Sequence, residues 1–129
     1  MKKLHLHSKR LLLEPITWSD LDDIHELHSL PEVDEFNTLG IPEHLDETKS
    51  IMKHWIEEFQ NDEIGNYVFA IRLLKNKQFI GLFGLNLASQ KFKSGEIWYK
   101  LHPNYWGKGY ATEALNRALD FGFDELKLH

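Results

Sequence analysis

Apolar residues recur along the chain at two spacings, one typical of helices and one typical of strands. Helical spacing runs from Leu21 to Leu30, over about residues 45–60 and over about residues 110–126. Residues 17–20 have the spacing of a capping box, which predicts the start of the first helix, and Pro31 predicts its end. Residues 31–44 contain turn signals and predict an irregular segment.

Strand patterns occupy the start and the middle of the chain. They cover residues 10–14, 67–74, 79–87 and 96–101. The last three follow one another through short connections, which predicts an antiparallel meander. Gly81 and Gly84 interrupt the middle strand of this meander, so a bulge or the close approach of another group is expected there.

Length, charge and cysteine usage exclude several classes of protein. A chain of 129 residues predicts a single domain over residues 1–129, and the absence of cysteine excludes disulfides, thiolate metal sites and a cysteine nucleophile. A formal net charge of -5 argues against a nucleic-acid partner. No apolar run approaches the roughly 18 residues that a membrane span requires, so no membrane partner is expected and a cytoplasmic location is the simplest interpretation.

A glycine pair separates the last predicted strand from the last predicted helix. Gly107 and Gly109 allow a close backbone approach, and the start of a helix offers unpaired N–H groups, so the default ligand is a phosphate. A Walker A loop is excluded because its glycine spacing and its Lys-Ser/Thr pair are absent. A dinucleotide fingerprint lacks its third glycine and its parallel strands. A purely structural turn is left as the alternative.

The order of these elements resembles the GNAT superfamily of N-acetyltransferases, and within it the RimJ/RimL-type branch of ribosomal-protein N-terminal acetyltransferases. The stretches that carry the resemblance are residues 10–15 with 19–20, residues 80–81, residues 96–99 and, most specifically, residues 106–114. The resemblance implies an α+β fold, a GNAT-like, mixed and mostly antiparallel sheet flanked by helices. It also implies that the last strands and helix of the family are lacking, because the chain ends where a further strand begins.

The resemblance implies acetyl-coenzyme A as the acetyl donor and no metal. The loop and the start of the helix would bind its pyrophosphate through Trp106, Gly107, Lys108, Gly109, Tyr110, Ala111 and Thr112. Trp106 departs from the Gln or Arg of the superfamily pattern. The strand before the loop would pair with the pantetheine arm through Trp98, Tyr99, Lys100 and Leu101. Lys108 or Arg117 would add a cation for the phosphates, or would be a solvated side chain.

The acceptor implied by the resemblance is a primary amine, either a protein N-terminus or a small molecule. Glu96 is the candidate base that takes the proton of the amine, with an exposed strand-end carboxylate as the alternative. Three acidic residues of the irregular segment are candidates for attracting the amine: Glu32, Asp34 and Glu35. His25 and His28 lie one turn apart on the flank of the apolar face of the first helix. They could bind a substrate or a metal, but a position on the helix surface is the commoner outcome and is expected here.

Two functions are therefore predicted from different classes. The first is an acetyl-coenzyme A-dependent N-acetyltransferase. The alternative is a catalytically silent, truncated GNAT fragment that serves as a coenzyme A-binding or oligomerisation module. In either case the early end of the chain predicts an exposed sheet edge and hence a homo-oligomer.

Overall fold

Five antiparallel strands form one sheet. The structure is a computed structural model and describes residues 5–34, 41–59, 66–86 and 96–124. The strands are β1 (Leu6–His7), β2 (Leu11–Pro15), β3 (Asn66–Leu73), β4 (Phe79–Asn86) and β5 (Glu96–Leu101). They lie in the order β1-β2-β3-β4-β5, so each strand pairs with its neighbour in sequence and the predicted meander is confirmed.

Helices cover both faces of the sheet. They are α1 (Leu21–His28), α2 (Pro31–Asp34), α3 (Leu45–Phe59) and α4 (Tyr110–Asp124). Alternate strand residues build two apolar clusters. Phe69 and Phe83 lie in the cluster that contacts α4, whereas Val68 and Leu82 lie in the cluster that contacts α1, α2 and α3. The architecture is therefore a sheet between two helical layers, and none of the described helices is long and apolar enough to cross a membrane.

The segment after α1 differs from its prediction. Residues 31–34 form the short helix α2, in which the Val33 N–H donates to the carbonyl of Leu30 at 3.1 Å. The prediction of an irregular segment from residue 31 is wrong there because proline both ends a helix and suits the first position of the next one. Residues 35–40 lie outside the described residues.

Both predicted consequences of the glycines in β4 are present. The pairing between β3 and β4 shifts by one residue next to Gly81, which is a β-bulge. Gly84 lies opposite Trp98 of β5, and a Cβ on Gly84 would lie 2.0 Å from Cε2 of the indole. The missing side chain of Gly84 thus lets Trp98 lie flat against the sheet.

Candidate functional site

A cavity of about 640 Å³ runs along β5 and ends at the glycine loop. Its lining includes ten of the eleven residues predicted to bind the acetyl donor, together with Val33 and Tyr105. The ten are Trp98, Tyr99, Lys100, Leu101, Trp106, Gly107, Gly109, Tyr110, Ala111 and Thr112. Lys108 is the exception, and its side chain is exposed. The structure thus brings the strand and the loop, which are separated by a short turn in the sequence, to one cavity.

The glycine loop has backbone angles that favour glycine. Gly107 has φ +74° and Gly109 has φ +82°, which are the only positive-φ glycines among the described residues. α4 begins directly after Gly109, and the N–H of Glu113 donates to the Gly109 carbonyl at 3.0 Å. The loop therefore places the N-terminus of a 15-residue helix at the end of the cavity.

Trp106 links the loop to the sheet. Its indole Nε1–H donates to the carbonyl of Leu101 at 2.7 Å, while 43% of the residue stays exposed. This hydrogen bond closes the turn between the last residue of β5 and the first residue of the loop. A tryptophan can therefore hold the loop in place even though it lacks the charge or amide of the Gln or Arg in the superfamily pattern.

The two faces of β5 line the cavity differently. Tyr99 and Leu101 lie on the α4 face, and Tyr99 is 51% exposed whereas Leu101 is buried. Trp98 and Lys100 lie on the other face, under α1 and α3. Consecutive residues of a strand point to opposite faces, yet Trp98 and Tyr99 both line the cavity.

A buried histidine and a buried lysine meet on the α1 and α3 face. His28 is 4% exposed and Lys100 is 5% exposed, and Nζ of Lys100 lies 3.2 Å from Nε2 of His28. The His28 ring meets the edge of Trp55 at 6.0 Å between centroids, and Trp55 lies 5.7 Å from Trp98. The expectation that His28 is a surface residue is wrong, because its side chain is part of this buried cluster.

Burial determines the charge of His28. Desolvation first, and then the nearby charges of Lys100 and His25, lower the pKa of His28 from 6.5 to about 4. The imidazole is therefore neutral at pH 7, and its Nε2 can accept a hydrogen bond from the Lys100 ammonium. His25 is half-buried, and its Nδ1 lies 2.7 Å from the Thr48 hydroxyl.

Arg10 and Glu113 form a second pair of interacting residues, and both belong to stretches that carry the family resemblance. The Arg10 Nε–H donates to Glu113 Oε1 at 2.7 Å, and Nη1 donates to the Lys108 carbonyl at 3.0 Å. The guanidinium carbon lies 4.3 Å from the centroid of the Tyr110 ring. Arg10, which directly precedes β2, thus contacts both the glycine loop and α4. No local pattern predicts a contact between residues that are 103 positions apart in the sequence.

Several candidate residues are not among the described residues that line the cavity. Glu96 begins β5 opposite Asn86, but its side chain and that of Asp34 lie outside the described part, as does all of Glu35. Glu32 is exposed. The Arg117 Nε–H donates to the His7 carbonyl at 2.9 Å, so this side chain contacts β1. Among the described residues no group of three or more His, Asp and Glu side chains could hold a metal ion.

Comparisons with known proteins agree on one family. A family model described as an acetyltransferase (GNAT) domain matches residues 10–129. The chain is 29% identical to an N-acetyltransferase named p20 from Bacillus licheniformis, over 96% of this chain and 68% of that protein.

Two solved structures are similar along nearly the whole chain. One is an acetyltransferase of the GNAT family from Bacillus anthracis, with TM-score 0.81 and 25% identity over 98% of this chain and 70% of the other. The second is spermidine N-acetyltransferase from Vibrio cholerae in complex with CoA and spermine, with TM-score 0.78 and 26% identity over 95% and 69% of the two chains. These similarities do not single out the RimJ/RimL branch.

Proposed function

Because this chain belongs to the acetyltransferase (GNAT) family and is an acetyl-transfer enzyme, we propose that its cavity binds acetyl-coenzyme A and a primary amine. One observation carries the proposal. The face and backbone of β5 and the positive-φ glycine loop line the same cavity of about 640 Å³. This volume lies within the range of small-molecule sites.

The residues present fit the two ends of the proposed donor. The loop offers backbone N–H groups at the start of α4, which suits a pyrophosphate, and its glycines carry no side chain that would keep an anion away. A Cβ on Gly107 would meet nothing within 4 Å, so that side of the loop is open. The wall formed by Trp98, Tyr99 and Leu101 is largely apolar, which suits a pantetheine arm.

Acetyl-coenzyme A supplies the acetyl group as an activated thioester. In the proposal β5 and the loop hold the donor beside the acceptor, so that most of the rate comes from positioning. Glu96 is proposed to take the proton of the amine, directly or through water, because β5 begins there and leads directly to Trp98 in the cavity wall. Glu32, Asp34 and Glu35 are proposed to attract a basic acceptor by their charge.

We propose that the acceptor is a primary amine. A protein N-terminus and a small amine both satisfy this description. A spermidine acetyltransferase is among the similar proteins, which favours including polyamines in any panel of acceptors. Lys100 is the one charged side chain among the described residues that line the cavity, and it would oppose a second positive charge on the acceptor at that wall.

The proposal extends to the state of the protein. We propose a single-domain, cytoplasmic enzyme that associates with its own copies. The large side chains Tyr99 and Trp106 are exposed beside the cavity, and contact with a second copy would remove their apolar surface from water, which is favourable. Sedimentation at increasing concentration should detect the association, and a monomer at every concentration would contradict it.

Calorimetry and thiol release together test the proposed reaction. The protein should bind coenzyme A, and it should release the thiol from acetyl-coenzyme A when an amine from a panel of peptides and polyamines is added. Glu96→Gln should keep the affinity for coenzyme A and lose about 100-fold in turnover, since it removes only the proposed base. Binding without turnover by the wild type would favour the alternative, a silent coenzyme A-binding module. Absence of binding would contradict both.

A further inference from the structure

The Glu113 carboxylate lies where a phosphate-binding helix would least tolerate a free negative charge. Glu113 is in the first turn of α4, four residues after Gly109, and its N–H bonds the carbonyl of that glycine. An acidic side chain favours the helix N-terminus in the absence of a ligand, but it repels an anion bound at the same place. The carboxylate therefore needs to be neutralised if the loop is to hold a pyrophosphate.

Three donors converge on this carboxylate. Oε2 accepts a hydrogen bond from the Ser8 hydroxyl and another from the Arg10 backbone N–H at 2.8 Å, while Oε1 accepts one from the Arg10 Nε–H at 2.7 Å. Burial would raise the pKa of Glu113, but these hydrogen bonds and the Arg10 charge outweigh it and hold the pKa of this carboxyl below its usual range. Glu113 is thus ionised at pH 7 and is paired with a single guanidinium.

The same guanidinium fixes the shape of the loop. Nη1 of Arg10 donates to the carbonyl of Lys108, which stands between the two positive-φ glycines. Glycine has unusual backbone freedom, so a loop with Gly107 and Gly109 can adopt other shapes unless something outside it holds it. The Tyr110 ring under the guanidinium completes a contact between β2, the loop and α4.

We propose that Arg10 is a positioning residue for the acetyl donor, because its guanidinium both neutralises Glu113 and holds the Lys108 carbonyl, which keeps the loop ready for a pyrophosphate. This inference rests on the proposed function of the loop. Arg10 acts through Glu113 and Lys108 and touches none of the reacting atoms. Its side chain is 41% exposed, and exposed ion pairs stabilise folded proteins little, so its removal should change ligand affinity more than it changes folding.

The affinity for coenzyme A, measured by calorimetry on the full chain, tests this role. Arg10→Gln should weaken binding about tenfold, which is the typical effect of losing a hydrogen bond to a charged group. Arg10→Lys should recover part of the loss, because it keeps the charge but cannot bond Glu113 and Lys108 with one planar group. In the double variant Arg10→Gln/Glu113→Gln the affinity should return to within about threefold of the wild type, since the uncompensated carboxylate is gone.

Arg117 supplies the matched control, because it contacts β1 and is not among the described residues that line the cavity, so the structure does not support its candidate role as a cation for the phosphates. Its guanidinium also joins α4 to the first hairpin, which β1 and β2 form, through the His7 carbonyl, but the described contacts of this group do not involve the loop. Arg117→Gln should leave the affinity for coenzyme A unchanged, with a thermal midpoint similar to that of Arg10→Gln. An equal loss of affinity in both variants would overturn the proposal, because a general loosening of the hairpin would then explain it.

Turnover of two donors separates the pyrophosphate from the rest of the molecule. S-acetylpantetheine carries the same thioester arm but lacks the phosphates, so Arg10→Gln should raise KM for acetyl-coenzyme A and leave kcat/KM for S-acetylpantetheine nearly unchanged. Equal losses for both donors would overturn the role in pyrophosphate binding. If the wild type binds no coenzyme A, both this inference and the proposed function are contradicted; unchanged affinity in Arg10→Gln would contradict this inference alone.

Discussion

The two walls of the cavity are built on different principles. The loop wall depends on backbone geometry and on hydrogen bonds between partly exposed groups, with Gly107 and Gly109 at positive φ and Arg10 bridging to Glu113. The wall under α1 and α3 consists of buried and partly buried side chains, in which His28 and Lys100 meet beside the indoles of Trp55 and Trp98. One wall is therefore shaped mainly by the chain's backbone, and the other by packing.

This difference determines how each wall responds to change. Charges in the loop wall are partly hydrated, so their contribution to folding is small and their effect should appear when a ligand binds. Charges in the packed wall are desolvated, and a change in protonation there acts on the stability of the fold. Mutations and pH should thus separate the two walls, the packed wall by unfolding experiments and the loop wall by binding experiments.

Acid should destabilise the packed wall through His28. The pKa of His28 is about 4 in the folded chain and 6.5 when unperturbed, so below about pH 6.5 the unfolded chain binds a proton that the folded chain does not. The contribution of neutral His28 to stability is complete above pH 6.5 and decreases as the pH falls. Near pH 4 the accumulated loss in the free energy of unfolding is about 3 kcal/mol. Denaturant unfolding at a series of pH values should show this loss, and His28→Gln should show a loss smaller by that amount.

The groups around His28 are Lys100 and His25, in addition to the Trp55 ring. Desolvation and the charges of Lys100 and His25 all lower the pKa of His28, so the three causes act in the same direction. His7, which is exposed on β1, provides the control, and His7→Gln should follow the wild-type pH curve. Identical pH curves for wild type and His28→Gln would show that the packed wall does not exclude water from this imidazole.

The sequence predicts the local features of both walls and misses the contacts across them. β5 has the predicted bounds, the meander is present, and Thr17 N–H bonds Asp20 Oδ2 as a capping box requires. These features depend on residues close together in sequence. The bridge from Arg10 to Glu113 depends on tertiary structure, because only the fold brings the first hairpin to α4.

The wrong prediction that His28 is exposed has a different cause. His28 follows Ile24 by four residues and Leu21 by seven, so helical spacing already placed it on the apolar face. The usual exposure of histidine favours the surface instead, but Lys100 and the indoles of Trp55 and Trp98 provide His28 with a buried environment. Periodicity was the better guide here, because packing determines burial and a neutral imidazole with a hydrogen-bond partner tolerates it.

A methyl group on Gly84 should damage the packed wall by steric overlap. The added Cβ would lie 2.0 Å from the Trp98 ring, and this ring is already in contact with Trp55, with 5.7 Å between the ring centroids. Gly84→Ala should lower the free energy of unfolding by about 2 kcal/mol, as is typical of overpacked sites. Trp98→Ala in the same chain should make the Gly84 substitution nearly harmless, which a double-mutant cycle measures. Additive losses would indicate that the indole is not the obstacle.

The glycine pair offers the finest test of the loop wall, because its two members share a backbone conformation and differ in their surroundings. Either alanine substitution should cost about 1 kcal/mol of stability through its positive φ. A Cβ on Gly107 would meet nothing within 4 Å, whereas a Cβ on Gly109 would lie 3.3 Å from Nη2 of Arg10. Gly109→Ala should therefore weaken coenzyme A binding more than Gly107→Ala at matched stability, with a ratio of about threefold by calorimetry. Equal affinities in the two variants would mean that backbone conformation alone shapes the loop and that its contact with Arg10 adds nothing to the binding of the donor.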